Sequence, residues 1–222
     1  MATQGSLKQL LNEQFSKLGR AIGNANRLEI IEYLAQGERN VENLSKLSGL
    51  SIANTSQHLA VLRQAGLVTS RKEGLYVIYS LAGPDVVALF GLLRSVAENR
   101  VAEVDRLIGA FLNTKDHLEP IDAEELLARA QEGSISILDV RPKEEFEAGH
   151  LVGAVNISLA ELEQQWDQFP PGNEVIAYCR GPYCVLSFDA VAGLRAKGIK
   201  ARRLKEGFPE WKLAGHPINV IT

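Results

Sequence analysis

The apolar pattern changes period at "NTKDHLEP", residues 113–120, and no other feature constrains the fold as much. Before it, apolar residues recur at the three-or-four spacing of amphipathic helices. After it, short β-rich runs alternate with helical stretches. The octapeptide itself is polar, lacks periodicity and ends in proline, so it reads as a linker. Two modules are therefore expected, 1–112 and 121–222, joined by 113–120. A chain of 222 residues is long for one ordinary domain and comfortable for two. Charge divides at the same place. Residues 1–118 hold 13 Lys/Arg and 11 Asp/Glu, net +2, whereas residues 119–222 hold 11 and 16, net -5. Opposite signs imply different partners.

With 45% hydrophobic and 23% charged residues, the composition is that of a soluble globular protein. No run approaches the roughly 18 apolar residues of a membrane span. The start, "MATQGSLKQLLNEQF", lacks the basic-then-apolar order of a secretory signal. A cytoplasmic protein without membrane contact is expected. In that compartment two nearby cysteines point to reactivity or metal binding rather than a static disulfide. The four histidines (58, 117, 150 and 216) are far apart and show no ligand spacing, so neither metal nor cofactor is expected.

In the first module, residues 24–37 place Leu28, Ile31 and Leu34 at helical spacing, and Gly37 stops the helix. Residues 40–49 form a short helix with Asn40 as N-cap and Gly49 in the following turn. Residues 51–66 follow, capped by Ser51 and ended by Gly66, with Ile52, Leu59 and Leu62 as the inner stripe. Helix, tight turn and helix make a helix-turn-helix. Residues 67–70 and 75–81 are β-prone around a basic tip at 71–74, a hairpin placed as a wing. On the third of these helices Asn54, Thr55, Ser56, Gln57 and His58 cluster, and short hydroxyls and amides suit base edges in the major groove. Arg63, Arg71 and Lys72 suit phosphates. A solvated helix face is the plain alternative; the ordered context of turn, helix and hairpin favours double-stranded DNA.

The stretch "SQHLAVLRQAGLVTSRKEGLYVIYSL" (56–81) resembles the ArsR-type winged-helix transcriptional repressors, a likeness that extends over about residues 6–112. The resemblance implies a homodimer that binds palindromic operators and releases them when an inducer binds. Residues 84–112 correspond to that family's long dimerisation helix. Val86, Phe90, Leu93, Ala97, Val101, Val104, Leu107 and Phe111 recur along it every three or four residues. Together with residues 10–18 it would bury the dimer seam. Many family members sense metals through cysteines on the helix before the recognition helix, but "NVENLSKL" (40–47) has neither thiol nor histidine. Others use Asp and His pairs on the dimerisation helix; here Asp85 and Asp105 have no histidine beside them. The inducer must be read elsewhere.

In the second module, residues 135–141 and 174–179 are apolar runs of strand length, and 154–157 and 201–204 are weaker strands. Helical stretches at 122–131 and 185–198 lie among them, which implies a parallel α/β sheet. Such sheets bind ligands beyond their carboxyl ends. Both cysteines of the chain fall there, in "YCRGPYC" (178–184). Backbone N–H groups from Arg180 to Cys184, the following helix N-terminus and the Arg180 charge would favour a thiolate at Cys179, the nucleophilic form. Arg180, Gly181, Tyr183 and Cys184 would cradle a persulfide there, and Tyr183 would shape the mouth of the pocket. Cys184 reads either as a small apolar filler or as a resolving thiol. Pro182 and its neighbours are an obstacle to the two sulfurs meeting. Asp139 and Arg141 brace the loop or form a simple salt bridge.

The loop and its flanks resemble a rhodanese domain over about residues 118–222. "ILDVRPKEEFEAGHLVGAVNISLAEL" (137–162) matches that family's first signature and "EGFPEWKLAGHPI" (206–218) its last. Glu206 departs from it, standing where a second glycine is usual. The resemblance implies that Cys179 accepts a sulfane sulfur from polysulfide, persulfide or thiosulfate. Phosphatases of the same fold have His before the cysteine and Arg six after it; Tyr178 and Val185 stand there, which disfavours dephosphorylation and arsenate reduction. His150 and Trp211 are assigned to packing. The expected protein is a mainly-α winged helix joined to an α/β rhodanese-like domain. It would act as a homodimeric repressor that senses reactive sulfur through Cys179, with Cys184, and then releases its operator. The rival reading is a sulfurtransferase with an accessory DNA-binding domain. A third reading treats the rhodanese fold as a catalytically silent module.

Overall fold

Asn24, Asn40 and Ser51 each accept a hydrogen bond from a backbone N–H three residues on, and each starts a helix. The computed structural model describes residues 4–112 and 119–221, so most of the expected linker lies outside the described residues. Helix α1 spans Gln4–Ile22, α2 Ala25–Gln36, and the two-residue strand β1 Arg39–Asn40 leads into α3, Val41–Ser48. Then come α4, Ile52–Gln64, and the hairpin β2, Val68–Glu73, with β3, Tyr76–Leu81. The hairpin and β1 form an antiparallel sheet in the order β1-β3-β2. Helix-turn-helix and wing are present as expected.

Two details differ from the expectation. Ile52 is half exposed, and Thr55 takes its place in the inner stripe with Leu59 and Leu62, all fully buried. By spacing Ile52 shares the face of Thr55 and Leu59, but it is the first residue of α4 and remains half exposed at that end. The wing tip is Gly74–Leu75 rather than 71–74. The ladder continues through Arg71↔Ile78, Lys72↔Val77 and Glu73↔Tyr76 before Gly74 turns the chain at φ 59°. Arg71 and Lys72 are therefore strand residues.

The expected single helix over 84–112 is two: α5, Pro84–Arg100, and α6, Ala102–Phe111. Val101 leaves the helical region at φ -111° and ψ 98°, a conformation that suits a β-branched residue. Glu103 and Asp105 in the first turn of α6 complement its positive end. The chain forms two compact units, Met1–Val86 and Val87–Thr222. Most of α5 and all of α6 thus group with the second unit, not with 1–112 as the sequence reading expects.

The second unit continues with α7, Ala123–Gln131, β4, Ile135–Asp139, and α8, Lys143–Ala148. After β5, His150–Leu151, come β6, Ala154–Asn156, α9, Leu159–Gln165, and β7, Glu174–Tyr178. The chain ends through α10, Val185–Ala196, β8, Ala201–Arg203, α11, Phe208–Leu213, and β9, Ile218–Asn219. Strands β6-β4-β7-β8 form one sheet with every pairing parallel. Alternate residues feed two cores. Leu138, Val175, Ala177 and Cys179 pack with Val191 and Leu194 of α10; Ile137, Ile176 and Tyr178 pack with Phe208 and Trp211 of α11. That alternation places Cys179 on the α10 face, at the carboxyl end of β7. The antiparallel pair β5-β9 is too short for a periodic signal in sequence.

Candidate functional site

Cys179 is almost fully buried, one residue beyond the end of β7, and Cys184 caps α10. The two are joined as a disulfide, with Cα atoms 6.1 Å apart. Pro182 therefore does not hold the sulfurs apart. The loop between them turns tightly: the Cys184 N–H donates to the Gly181 carbonyl at 3.1 Å. Its floor is Gly207, just before α11. A Cβ there would meet Gly181 N at 2.5 Å and Arg180 C at 2.6 Å. The Phe208 N–H donates to the Cys179 carbonyl at 3.1 Å, pinning the strand end to α11.

The expected cradle is only partly assembled. The Cys184 N–H is engaged within the turn. Arg180 does not offer its charge freely to the sulfurs: its guanidinium makes a bidentate pair with buried Glu145, at 2.8 and 2.9 Å. A buried carboxylate needs a cation more than an uncharged disulfide does. Glu145 stands in the first rhodanese-like signature, which was the signal available for it. Tyr183 directs its hydroxyl to Glu98 of α5, a pairing with no sequence signal because 85 residues separate the two.

Asp139 and Arg141 act through Tyr178, the residue before Cys179. Arg141 Nη2 lies 2.6 Å from Asp139 Oδ2, and both side chains are wholly buried. The Tyr178 hydroxyl donates to Asp139 and accepts from the Leu151 N–H. Arg141 also donates to the Gly149 carbonyl at 2.7 Å and lies over the Phe208 ring. Burial alone would lower the Arg141 pKa, but its bonds to Asp139 hold it above the ordinary value. Burial, then the Asp139 charge, push the Tyr178 hydroxyl well above its usual range. His150 stacks on Phe146, and Trp211 is buried with its ring N–H on the Pro217 carbonyl, so both pack. Half-buried Glu206 keeps one carboxylate oxygen without a partner among the described residues, and burial raises its pKa.

On α4, Ser56, Gln57 and Arg63 are exposed and Asn54 is partly so. Thr55 cannot read a base edge: it is fully buried and its hydroxyl donates to the Ser51 carbonyl. His58 turns inward. Its Nε2 is buried, and burial followed by the nearby Arg27 charge lowers its pKa. On the wing Lys72 is exposed, whereas Arg71 pairs with Glu38 at 2.5 Å and Glu73 at 3.0 Å. Arg63 leans to Ser70 at 3.3 Å.

Comparison with known proteins agrees with this organisation. The family of bacterial regulatory proteins named arsR matches residues 24–70, and the rhodanese-like domain matches residues 122–214. The HTH-type transcriptional regulator Rv0324 of Mycobacterium tuberculosis is 40% identical over 219 residues, covering 99% of this chain and 96% of that protein. The HTH-type transcriptional regulator YgaV of Escherichia coli is 33% identical over 85 residues, 38% of this chain and 86% of that one. Among solved structures, the homodimeric winged helix-turn-helix DNA-binding domain of Mb0332 from Mycobacterium bovis is 40% identical. It covers 46% of this chain and 94% of its own, with a TM-score of 0.42. A winged helix followed by a rhodanese-like domain defines a class of transcriptional regulator. The chain belongs to the arsR family of bacterial regulatory proteins, in the form that also contains a rhodanese-like domain.

Proposed function

We propose that this regulator is a homodimeric cytoplasmic repressor whose rhodanese-like domain senses reactive sulfur species and releases operator DNA in response. The observation that supports the reading most is that Cys179 and Cys184, at a strand end and a helix start, lie close enough to bond. The Cys179 thiolate attacks the outer sulfur of a persulfide, RSSH, giving Cys179–SSH and releasing RS⁻. The Cys184 thiolate then attacks the inner sulfur of Cys179–SSH, giving the disulfide and releasing HS⁻. Overall, the two thiols are oxidised and the transferred sulfane sulfur is reduced to hydrosulfide. No resident cofactor is required. Within the first unit, exposed apolar residues on α1 (Leu7, Leu10, Leu11, Phe15) are available to a second copy, and within the second unit so are Leu92, Val96, Leu107 and Phe111 on α5 and α6.

The test is direct. A DNA duplex selected from a random pool by the reduced full chain is titrated before and after sodium tetrasulfide, an S⁰ donor. Wild type is expected to lose affinity by about tenfold or more, a differential of roughly 1.4 kcal/mol or more. Cys179→Ser is expected to keep its affinity. Equal release from both chains rejects the sensor reading, and rapid multiple turnover without any change in DNA binding turns it into the sulfurtransferase reading.

The DNA contacts carry their own expectation. Phosphate contacts release counterions, so affinity falls steeply with salt. Lys72→Ala should lower the slope of log K against log salt by about 0.9 per protomer. Arg71→Ala should lower it less, because Glu38 and Glu73 already engage that guanidinium. Fluorescence anisotropy between low and moderate salt measures both; an unchanged slope for Lys72→Ala removes the wing from the interface.

A further inference from the structure

The sulfur loop touches a helix whose other face is exposed and apolar. Gly91, Arg94, Ser95 and Glu98 of α5 follow helical spacing and line a cavity of about 340 Å³ together with Pro182 and Tyr183 of the loop. Across it the Tyr183 hydroxyl donates to the Glu98 carboxylate. Arg94 pairs with Glu210 of α11 at 3.0 Å, and both side chains are largely buried. Leu92 and Val96, on a different face of α5, are 63% and 52% exposed. An α-helix moves as a rod over this length, so a shift of Glu98 also displaces Leu92 and Val96.

We propose that Tyr183 is a latch that reports the state of the cysteine pair to α5 through Glu98. This rests on the sulfur-sensing reading above and supplies its route to the DNA-binding half. Tyr183 is the residue before Cys184. When the disulfide closes residues 179–184 into a small ring, the backbone of Tyr183 has few conformations, and its hydroxyl is held toward α5. When the two thiols are separate, Gly181 gives the loop more freedom and the contact is made less of the time. Hydrogen bonds to a charged acceptor are among the stronger ones. The closed loop therefore favours one position of α5. Because α5 begins at Pro84 and continues through Arg100, that bias reaches both its exposed apolar face and its start in the first unit. Arg94–Glu210 is the second tether and confines the movement of α5 to small displacements.

The test uses the full chain as wild type, Glu98→Gln and Tyr183→Phe. Each is reduced, treated with sodium tetrasulfide and measured twice. Mass spectrometry of the peptide containing both cysteines gives the fraction joined, and titration with the selected duplex gives affinity. The expected result is that wild type loses affinity about tenfold or more, as a charge-assisted hydrogen bond allows. Glu98→Gln and Tyr183→Phe join their cysteines as fully as wild type yet lose less than about threefold. Loss of affinity equal to wild type in both variants overturns the latch and leaves the sensor reading standing. Failure of Glu98→Gln to join its cysteines also overturns it, because Glu98 would then act on the chemistry. A wild type that joins its cysteines without releasing DNA overturns the sensor reading, and the latch with it.

Discussion

Asp139→Ala is expected to destabilise the second unit by about 3–5 kcal/mol, the effect of removing one partner from a buried ion pair. Both side chains of the Asp139–Arg141 pair are fully buried, so water cannot replace the lost carboxylate. The cost has two sources. Arg141 loses the carboxylate that balances its charge, and the Tyr178 hydroxyl loses its acceptor. The effect should propagate to Cys179, since Tyr178 directly precedes it and holds the Leu151 N–H. Urea unfolding followed by tryptophan fluorescence isolates the response. The two tryptophans, Trp166 and Trp211, both lie in the second unit, so the signal reports that unit alone. A double replacement, Asp139→Ala with Arg141→Met, should recover much of the loss, because an apolar side chain of similar volume leaves no uncompensated charge. An unchanged midpoint for Asp139→Ala would mean that this pair does not hold the strand end.

Those two residues also mark how far sequence reading extends. The sheet was legible because β4 and β7 are largely apolar runs of strand length, as buried parallel strands are. Cys179 was placed at the right end of the right strand for the same reason. The helix-turn-helix was legible from capping residues and glycines at their turns. What escaped was pairing across distance. Glu145 reaches Arg180 from α8, and Glu98 reaches Tyr183 from α5; charge alone does not say which of many carboxylates a given donor meets. Thr55 and His58 escaped for a different reason. Their polarity suggested a DNA-facing surface, but one turn of helix separates the exposed face from the core, and a threonine can satisfy its hydroxyl on the preceding turn. The break at Val101 was hidden by an apolar period that continues through it.

Gly207→Ala should disable the sulfur loop and weaken the second unit around it. Glycine stands there because the backbone of the loop lies directly over its Cα. An added methyl would come within 2.6 Å of Arg180 C and closer still to Gly181. Both obstacles are main chain, so no rotamer change relieves the clash, and either the loop or α11 must move. Overpacking of this kind costs about 1–3 kcal/mol. Movement of α11 would also break the bond from the Phe208 N–H to the Cys179 carbonyl. The expected outcome is a lower unfolding midpoint by tryptophan fluorescence and a marked fall in the fraction of chains that join Cys179 to Cys184 after tetrasulfide. Gly193→Ala is the matched control: it lies within α10, a Cβ there meets nothing within 4 Å, and alanine favours the helix by roughly 1 kcal/mol. The two glycines separate the effect of an added methyl from the effect of its position. Should Gly207→Ala join its cysteines as readily as Gly193→Ala, the close approach of α11 would have no part in shaping the loop. The pairing of Cys179 with Cys184 would then depend on the strand end and the α10 start alone.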